Sequence, residues 1–253
     1  VLSVTGFLFL MVMITLSGKQ NKAQFQQAAR DIQTKVQQTI NEVSTGFYPN
    51  NADFSCSTGP DVYNAGLTVP VFTIPAARGQ GTNEDCVFLG KMMQFNVGNT
   101  DPETYNTYSI AGLRSGVSLA TSQAVVIDSA TVTQQNQLRF GLKTKSMCYK
   151  TATACTPVNT LGFISQIGDL SSNSTYEAGS VNLIAYSGFG LGANASAVKT
   201  SINTTHLDAT KTVVNPEGGV EICFQSGTTS ATALLSIGSN GHNLDVKLQV
   251  KAC

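Results

Sequence analysis

The side chains best suited to covalent chemistry in this chain are its 6 cysteines: Cys56, Cys86, Cys148, Cys155, Cys223 and Cys253. Their number is even and no two stand as Cys-x-x-Cys. With only 2 histidines in the chain, the spacing offers no zinc site. In so polar a sequence the cysteines read as disulfide partners in an oxidising compartment; the plainer alternative is a set of buried free thiols. Cys148 and Cys155 bracket Tyr149–Ala154, a length suited to closing a hairpin. Cys253 is the last residue, where a bridge would hold an end that otherwise frays, and Cys223 lies in a strand-like run near it. The expected pairs are Cys148–Cys155, Cys223–Cys253 and, by remainder, Cys56–Cys86, while other connectivities stay open.

The remaining candidates for chemistry are sparse. His206 and His242 are the groups that titrate near neutral pH, with Asp208 and Asp245 close in sequence. Each sits among turn residues and lacks a positioned partner, so both read as solvated side chains. Gly188, Gly190 and Gly192 form a glycine-rich run without the last glycine of a dinucleotide loop or a following helix, and they read as a loop. Asn83-Glu84-Asp85 supplies too few spaced oxygens for a calcium loop. Phosphate-loop, zinc-protease and nucleophile-elbow patterns are missing. The sequence therefore nominates no catalytic, cofactor-binding or metal-binding residue and no small-molecule substrate, and the expectation is a protein that is not an enzyme. Asn173, Asn194 and Asn203 open glycosylation acceptor patterns. Fifteen acidic residues balance 15 basic ones, so there is no long-range attraction to phosphate backbones, and nucleic acid stays an open partner only through a local patch.

The elements that carry these residues fall into two kinds. The chain opens VLSVTGFLFLMVMITLSGKQ, with no charge before Lys19. Val1–Leu16 would span about 24 Å as a helix, somewhat short of the ~30 Å hydrocarbon core of a bilayer. A few more apolar residues upstream of Val1 would complete a span. A cleaved secretory signal, a plain membrane anchor and a helix that passes from membrane into an assembly all fit this composition. The continuation favours the last. Phe25, Ala28, Ala29, Ile32, Val36, Thr39, Ile40 and Val43 recur at spacings of three and four, an apolar stripe on an otherwise polar helix. Gly46 and Pro49 are stop signals. One helix of more than roughly forty residues is expected, apolar all round at first and one-sided later. Ser17-Gly18 marks the junction where it would bend or melt. The expected division is 1–18 for the membrane or core helix, 19–46 for the amphipathic helix and 47–253 for a disulfide-stapled globular domain.

After Pro49 the period shortens to that of strands. Runs at Leu67–Ile74, Val87–Val97, Ala124–Ile127, Gln137–Tyr149, Leu161–Ile167, Val181–Tyr186, Val220–Gln225, Ala233–Ile237 and Leu244–Val250 are separated by turn residues. Asn240-Gly241 and Glu217-Gly218-Gly219 read as turns, Ser171–Thr175 and Gly188–Ala197 as loops, and residues near 116–124 as a short helix. The fold class expected is α+β, a long N-terminal helix packed on a C-terminal antiparallel β domain.

An uncharged apolar helix that merges into an amphipathic one, ahead of a cysteine-stapled β domain, resembles the type IV pilin superfamily. The resemblance rests on residues 1–45, chiefly Val1-Leu-Ser-Val-Thr-Gly-Phe-Leu-Phe-Leu-Met-Val-Met-Ile-Thr-Leu16. That stretch looks like the later part of the family's signal region. A bridge to the extreme C-terminus is also similar to that of many pilins. The family's cleavage-site glycine and nearby glutamate are not in Val1–Leu16; either they precede Val1 or this chain departs from the pattern. Ser17-Gly18 would stand where many bacterial pilins carry a proline.

The resemblance implies a structural subunit of an extracellular filament serving adhesion, motility or DNA uptake. It would sit in the cytoplasmic membrane first, be cut by a prepilin peptidase, and be polymerised by a pilus assembly machine. Val1, Leu2, Val4, Phe7, Leu8, Phe9, Leu10, Met11, Val12, Met13, Ile14 and Leu16 would then bundle with copies of themselves in the filament core. Phe25, Ala29, Ile32, Val36, Ile40 and Val43 would seat the helix on its own domain. The alternatives are a pseudopilin of a secretion system and a membrane-anchored extracellular binding or enzymatic module.

Overall fold

A computed structural model describes the backbone of residues 2–46, 55–60, 68–73, 86–97, 101–113, 125–127, 134–165, 181–187, 212–240 and 243–253. Side chains are described for 18–46, 88–97, 101–110, 135–165, 181–187, 213, 215–238 and 244–253.

The first element is helix α1, Leu2–Ser44, 43 residues long. It ends where the sequence places its stop. Gly46 takes φ +65, open to glycine without strain, and its N–H donates to the carbonyl of Val43 at 3.1 Å. The helix does not melt at Ser17-Gly18: α1 runs through both residues. A glycine there costs about 1 kcal/mol of helix propensity, too little to interrupt turns that cooperate on both sides.

Fourteen strands follow among the described residues, antiparallel at every described pairing. They are β1 (Ser55–Pro60), β2 (Thr68–Thr73), β3 (Cys86–Phe95), β4 (Thr104–Leu113), β5 (Val125–Ile127), β6 (Gln134–Gln137), β7 (Leu142–Lys150), β8 (Cys155–Pro157), β9 (Thr160–Ser165), β10 (Val181–Tyr186), β11 (Thr212–Val214), β12 (Val220–Ser226), β13 (Thr232–Asn240) and β14 (Asn243–Gln249). β1 and β2 pair as a ribbon. The 7-stranded sheet runs β11-β10-β9-β3-β4-β5, with β6 also on β4; the 5-stranded sheet runs β14-β13-β12-β7-β8. The chain is thus α+β: one N-terminal helix and a C-terminal antiparallel region built around two larger sheets.

The core lies where α1 and these two sheets meet. From the 7-stranded sheet it takes Met93, Phe95, Leu161, Phe163 and Leu183; from the 5-stranded sheet Met147, Ile222, Phe224, Leu235 and Ile237. Phe95 joins the layers, stacked on Tyr105 at 5.4 Å between ring centroids and edge-on to Phe224 at 6.0 Å.

One expectation about strands needs correction. The run Gln137–Tyr149 is not one strand. A single 3-10 turn at Arg139–Gly141 splits it, with Phe140 at φ 53 and Gly141 at φ +66. In an unbroken strand Leu138, Phe140 and Leu142 would share a face. The turn lets Leu138 and Leu142 reach the core and leaves Phe140 46% exposed. β13 and β14 form the hairpin expected around Asn240-Gly241, with Asn240 paired to Asn243; Gly241 and His242 lie outside the described residues. Glu217-Gly218 does turn, and Gly219 follows at φ +72 with its N–H on the Pro216 carbonyl at 2.7 Å. Pro49, the 116–124 segment and the loops at 171–175 and 188–197 lie outside the described residues.

Candidate functional site

The surface that sets this chain apart is α1 itself. Its amphipathic half is seated on both sheets at once. Phe25, Ala29, Ile32, Val36 and Val43 are buried in the core, and Ile40 packs against it partly buried. Ala28 and Thr39 are buried beside them, and the Thr39 hydroxyl donates back to the Lys35 carbonyl at 2.9 Å. Thr39 interrupts the apolar stripe without an unmet polar group.

Among the described residues, polar contacts join the helix to the domain at three points. Gln33 Nε2 donates to the Val246 carbonyl on β14 at 2.9 Å. Lys91 Nζ on β3 lies 2.5 Å from Glu42 Oε2, with side-chain exposures of 11% and 23%. Arg139 Nη1 stands 3.9 Å from Asp31 Oδ2 across a groove. Both carboxylates of the helix are therefore turned to the domain. Lys19, Lys22 and Arg30 are exposed and have no ion pair among the described residues.

The groove between α1 and the Arg139–Gly141 turn holds about 450 Å³ and is lined by Asp31, Lys35, Tyr105, Asn136 and Arg139, among others. Asp31 Oδ2 receives no hydrogen bond there. Burial raises the Tyr105 hydroxyl above its ordinary pKa of 10.0.

On the N-terminal side the seat stops. Gly18, Lys19, Gln20, Lys22 and Ala23 are exposed, and Asn21 and Gln24 are half-buried. Residues 2–17 continue as helical backbone. The nominated core residues between Val1 and Leu16, and Ser17, have side chains outside the described set. Among the described residues no helix is long and apolar enough to cross a membrane.

Two bridges close as the cysteine spacing suggests. Cys148–Cys155 ties β7 to β8, and Cys223–Cys253 ties β12 to the chain's last residue. The tail crosses the outer face of the 5-stranded sheet. Thr232 Oγ1 donates to the Lys251 carbonyl at 2.8 Å, and Lys145 Nζ to the Cys253 carbonyl at 2.7 Å. Cys56 and Cys86 lie on β1 and β3 with side chains outside the described set. Asp245 pairs with Lys247 at 2.6 Å. His206, Asp208, His242, the 83–85 turn, Gly188–Gly192 and the acceptors Asn173, Asn194 and Asn203 also fall outside it.

Sequence reasoning missed the Glu42–Lys91 pair. The signal available was a lone acid on a polar helix face and a lone lysine inside an apolar strand, Phe88-Leu-Gly-Lys91-Met-Met-Gln-Phe95. Nothing in sequence tied the two together.

No known protein family, curated protein or solved structure matches the chain.

Proposed function

We propose that this chain is a structural subunit of an extracellular helical filament of the type IV pilin kind, held in the cytoplasmic membrane before assembly. The apolar run Val1–Leu16 would be bundled in the filament core and the β domain would face outward. Copies of itself are its main partners. Lipid precedes them, and a prepilin peptidase and assembly machine act on it. Adhesion, motility or DNA uptake would follow from what the outer surface touches.

The observation that carries this reading is the division of one helix. Phe25, Ala29, Ile32, Val36 and Val43 are buried in their own domain, whereas residues 18–24 are exposed or half-buried. Helical backbone continues to Leu2, through side chains that are nearly all apolar in sequence. A rod of that composition is stable only among lipid chains or other apolar helices. Transfer from lipid to a bundle sacrifices little hydrophobic energy, so packing and domain contacts decide the equilibrium. Ser3, Gly6 and Thr15 would allow close helix approach.

The test is negative-stain microscopy of material sheared from cells that express the chain, beside cells expressing Leu10→Asp. Long uniform fibres containing the wild-type chain, absent for the variant, are expected. An intact wild-type chain that stays monomeric in detergent-free buffer overturns the reading.

A further inference from the structure

The hairpin that the Cys148–Cys155 bridge spans is also held by its backbone. Cys148 is on β7 and Cys155 on β8, and the turn between them is already closed by backbone: Thr151 N–H donates to the Ala154 carbonyl at 2.9 Å. Lys150 pairs with Cys155 and Cys148 with Pro157 in register. On its other side β7 pairs with β12 from Val220 to Ser226, which sets Glu221 opposite Cys148. Met147 and Ile222, the inward neighbours, are buried in the core, so Cys148 and Glu221 stand on the outer face. Cys155 is exposed; Cys148 and Glu221 are half-buried. The two sulfurs and a Glu221 carboxylate oxygen all lie within 4.8 Å of one another.

We propose that reduction of this bridge unmasks a binding site for a soft divalent cation such as Zn²⁺ or Cd²⁺, ligated by Cys148 Sγ, Cys155 Sγ and the Glu221 carboxylate. The ligands come from three adjacent strands whose pairing does not depend on the S–S bond, so breaking it leaves them in place. The reduction uses a water-soluble phosphine. Phosphorus attacks one sulfur and the S–S bond breaks. Water then supplies the oxygen of the phosphine oxide, and its two hydrogens end on the two sulfurs. Phosphorus loses two electrons and the disulfide gains them. The cation displaces both thiol protons to solvent and binds the two thiolates and the carboxylate. Water takes the fourth tetrahedral position.

A metal–sulfur distance of ~2.3 Å sets tetrahedral sulfurs about 3.7 Å apart. That span is compatible with Cα atoms 5.5 Å apart and with the present cluster. Two thiolates with one carboxylate favour soft or borderline cations over calcium or magnesium. Lys150 Nζ, 2.8 Å from Glu221 Oε1, is the built-in competitor. Its side chain is 44% exposed, so it can yield to the metal by swinging into water.

The experiment reduces the full chain with phosphine under argon, removes the reagent and titrates Cd²⁺. Binding is followed by the ultraviolet thiolate-to-cadmium charge-transfer band, and the fold by circular dichroism. The control is Cys148→Ser/Cys155→Ser, which keeps the other four cysteines. The expected result is a β-rich reduced chain that binds one Cd²⁺ per molecule at a site the control lacks. Glu221→Gln should weaken it about tenfold, on the scale of ligand-support losses, and Lys150→Ala should tighten it. Two results overturn the proposal: binding by the wild-type chain no tighter than by the control, or unchanged affinity in Glu221→Gln. The outcome is independent of whether the chain forms filaments.

Discussion

Glu42 and Lys91 show what a single buried charge demands. Lys91 is 8% exposed overall on a central strand, and its ammonium group has the Glu42 carboxylate of α1 as its ionic partner. Removing one member of a fully buried pair costs ~3–5 kcal/mol because the other is left unpaired; replacing both with apolar groups is often neutral. Glu42 keeps 23% of its side-chain exposure, so water offsets part of the loss. Glu42→Gln should therefore destabilise by about 2 kcal/mol in urea unfolding, whereas Glu42→Leu with Lys91→Met should come back to within about 1 kcal/mol of wild type. A double variant no better than the single would mean that the pair adds net stability. Tyr105 supplies a pH test at the same scale. Its pKa is raised in the fold above the ordinary 10.0 by burial alone. That contribution to stability is complete below pH 10.0 and is lost as pH climbs through the raised value. Unfolding midpoints measured across that alkaline range should fall as pH rises, and Tyr105→Phe should flatten the decline.

At the scale of elements, two glycines make opposite predictions. A Cβ on Gly18 would meet nothing within 4 Å, so Gly18→Ala should only strengthen α1, by about 1 kcal/mol. Gly219, at φ +72, would drive a Cβ to 2.2 Å from the Ile237 carbonyl oxygen. Gly219→Ala should therefore cost more than about 2 kcal/mol, through both the conformation and the clash. Thermal unfolding of the two variants, one up and one down, checks both. The bridges differ for an entropic reason: Cys223–Cys253 closes a separation of 30 residues and Cys148–Cys155 one of 7. In the chain-entropy account, Cys223→Ser/Cys253→Ser should cost about 3–4 kcal/mol and Cys148→Ser/Cys155→Ser about 2.

These elements also divide into those that the sequence makes legible and those it hides. The helix seat can be read because Phe25 to Val43 keep one period with one buried side. Both described bridges can be read because each joins cysteines near a turn or a terminus. β4 cannot. Thr104, Asn106 and Ser109 are buried along with Tyr105, Tyr108 and Ile110, so both of its faces are covered and no polar–apolar alternation survives. β6, Gln-Gln-Asn-Gln, carries no apolar residue at all and is held through its pairing with β4. The arrangement into two sheets rests on the β3–β9 and β7–β12 pairings, contacts between runs far apart in sequence that no local pattern encodes.

At the scale of the whole molecule, α1 leaves its own domain at residues 18–24, and the proposed filament would put its two halves in different environments. The stretch between them is exposed or half-buried, so few side chains there pass packing energy from one half to the other. The two halves should accordingly fail separately. Ile32→Ala and Val36→Ala remove side chains that are 3% and 0% exposed. Each should lower domain stability, by about 2–4 kcal/mol for Ile32→Ala and less for the smaller valine. Leu10→Asp places a charge in the apolar run, where neither lipid nor a helix bundle can solvate it cheaply. It should abolish fibres and shift the protein out of the membrane fraction, while the melting temperature of the β domain stays at the wild-type value. Calorimetry and sedimentation on the same preparations read both properties together. If Leu10→Asp lowered the domain's melting temperature as much as Ile32→Ala does, the apolar run would be packing against its own sheets. A filament-core role for it would then have no physical basis.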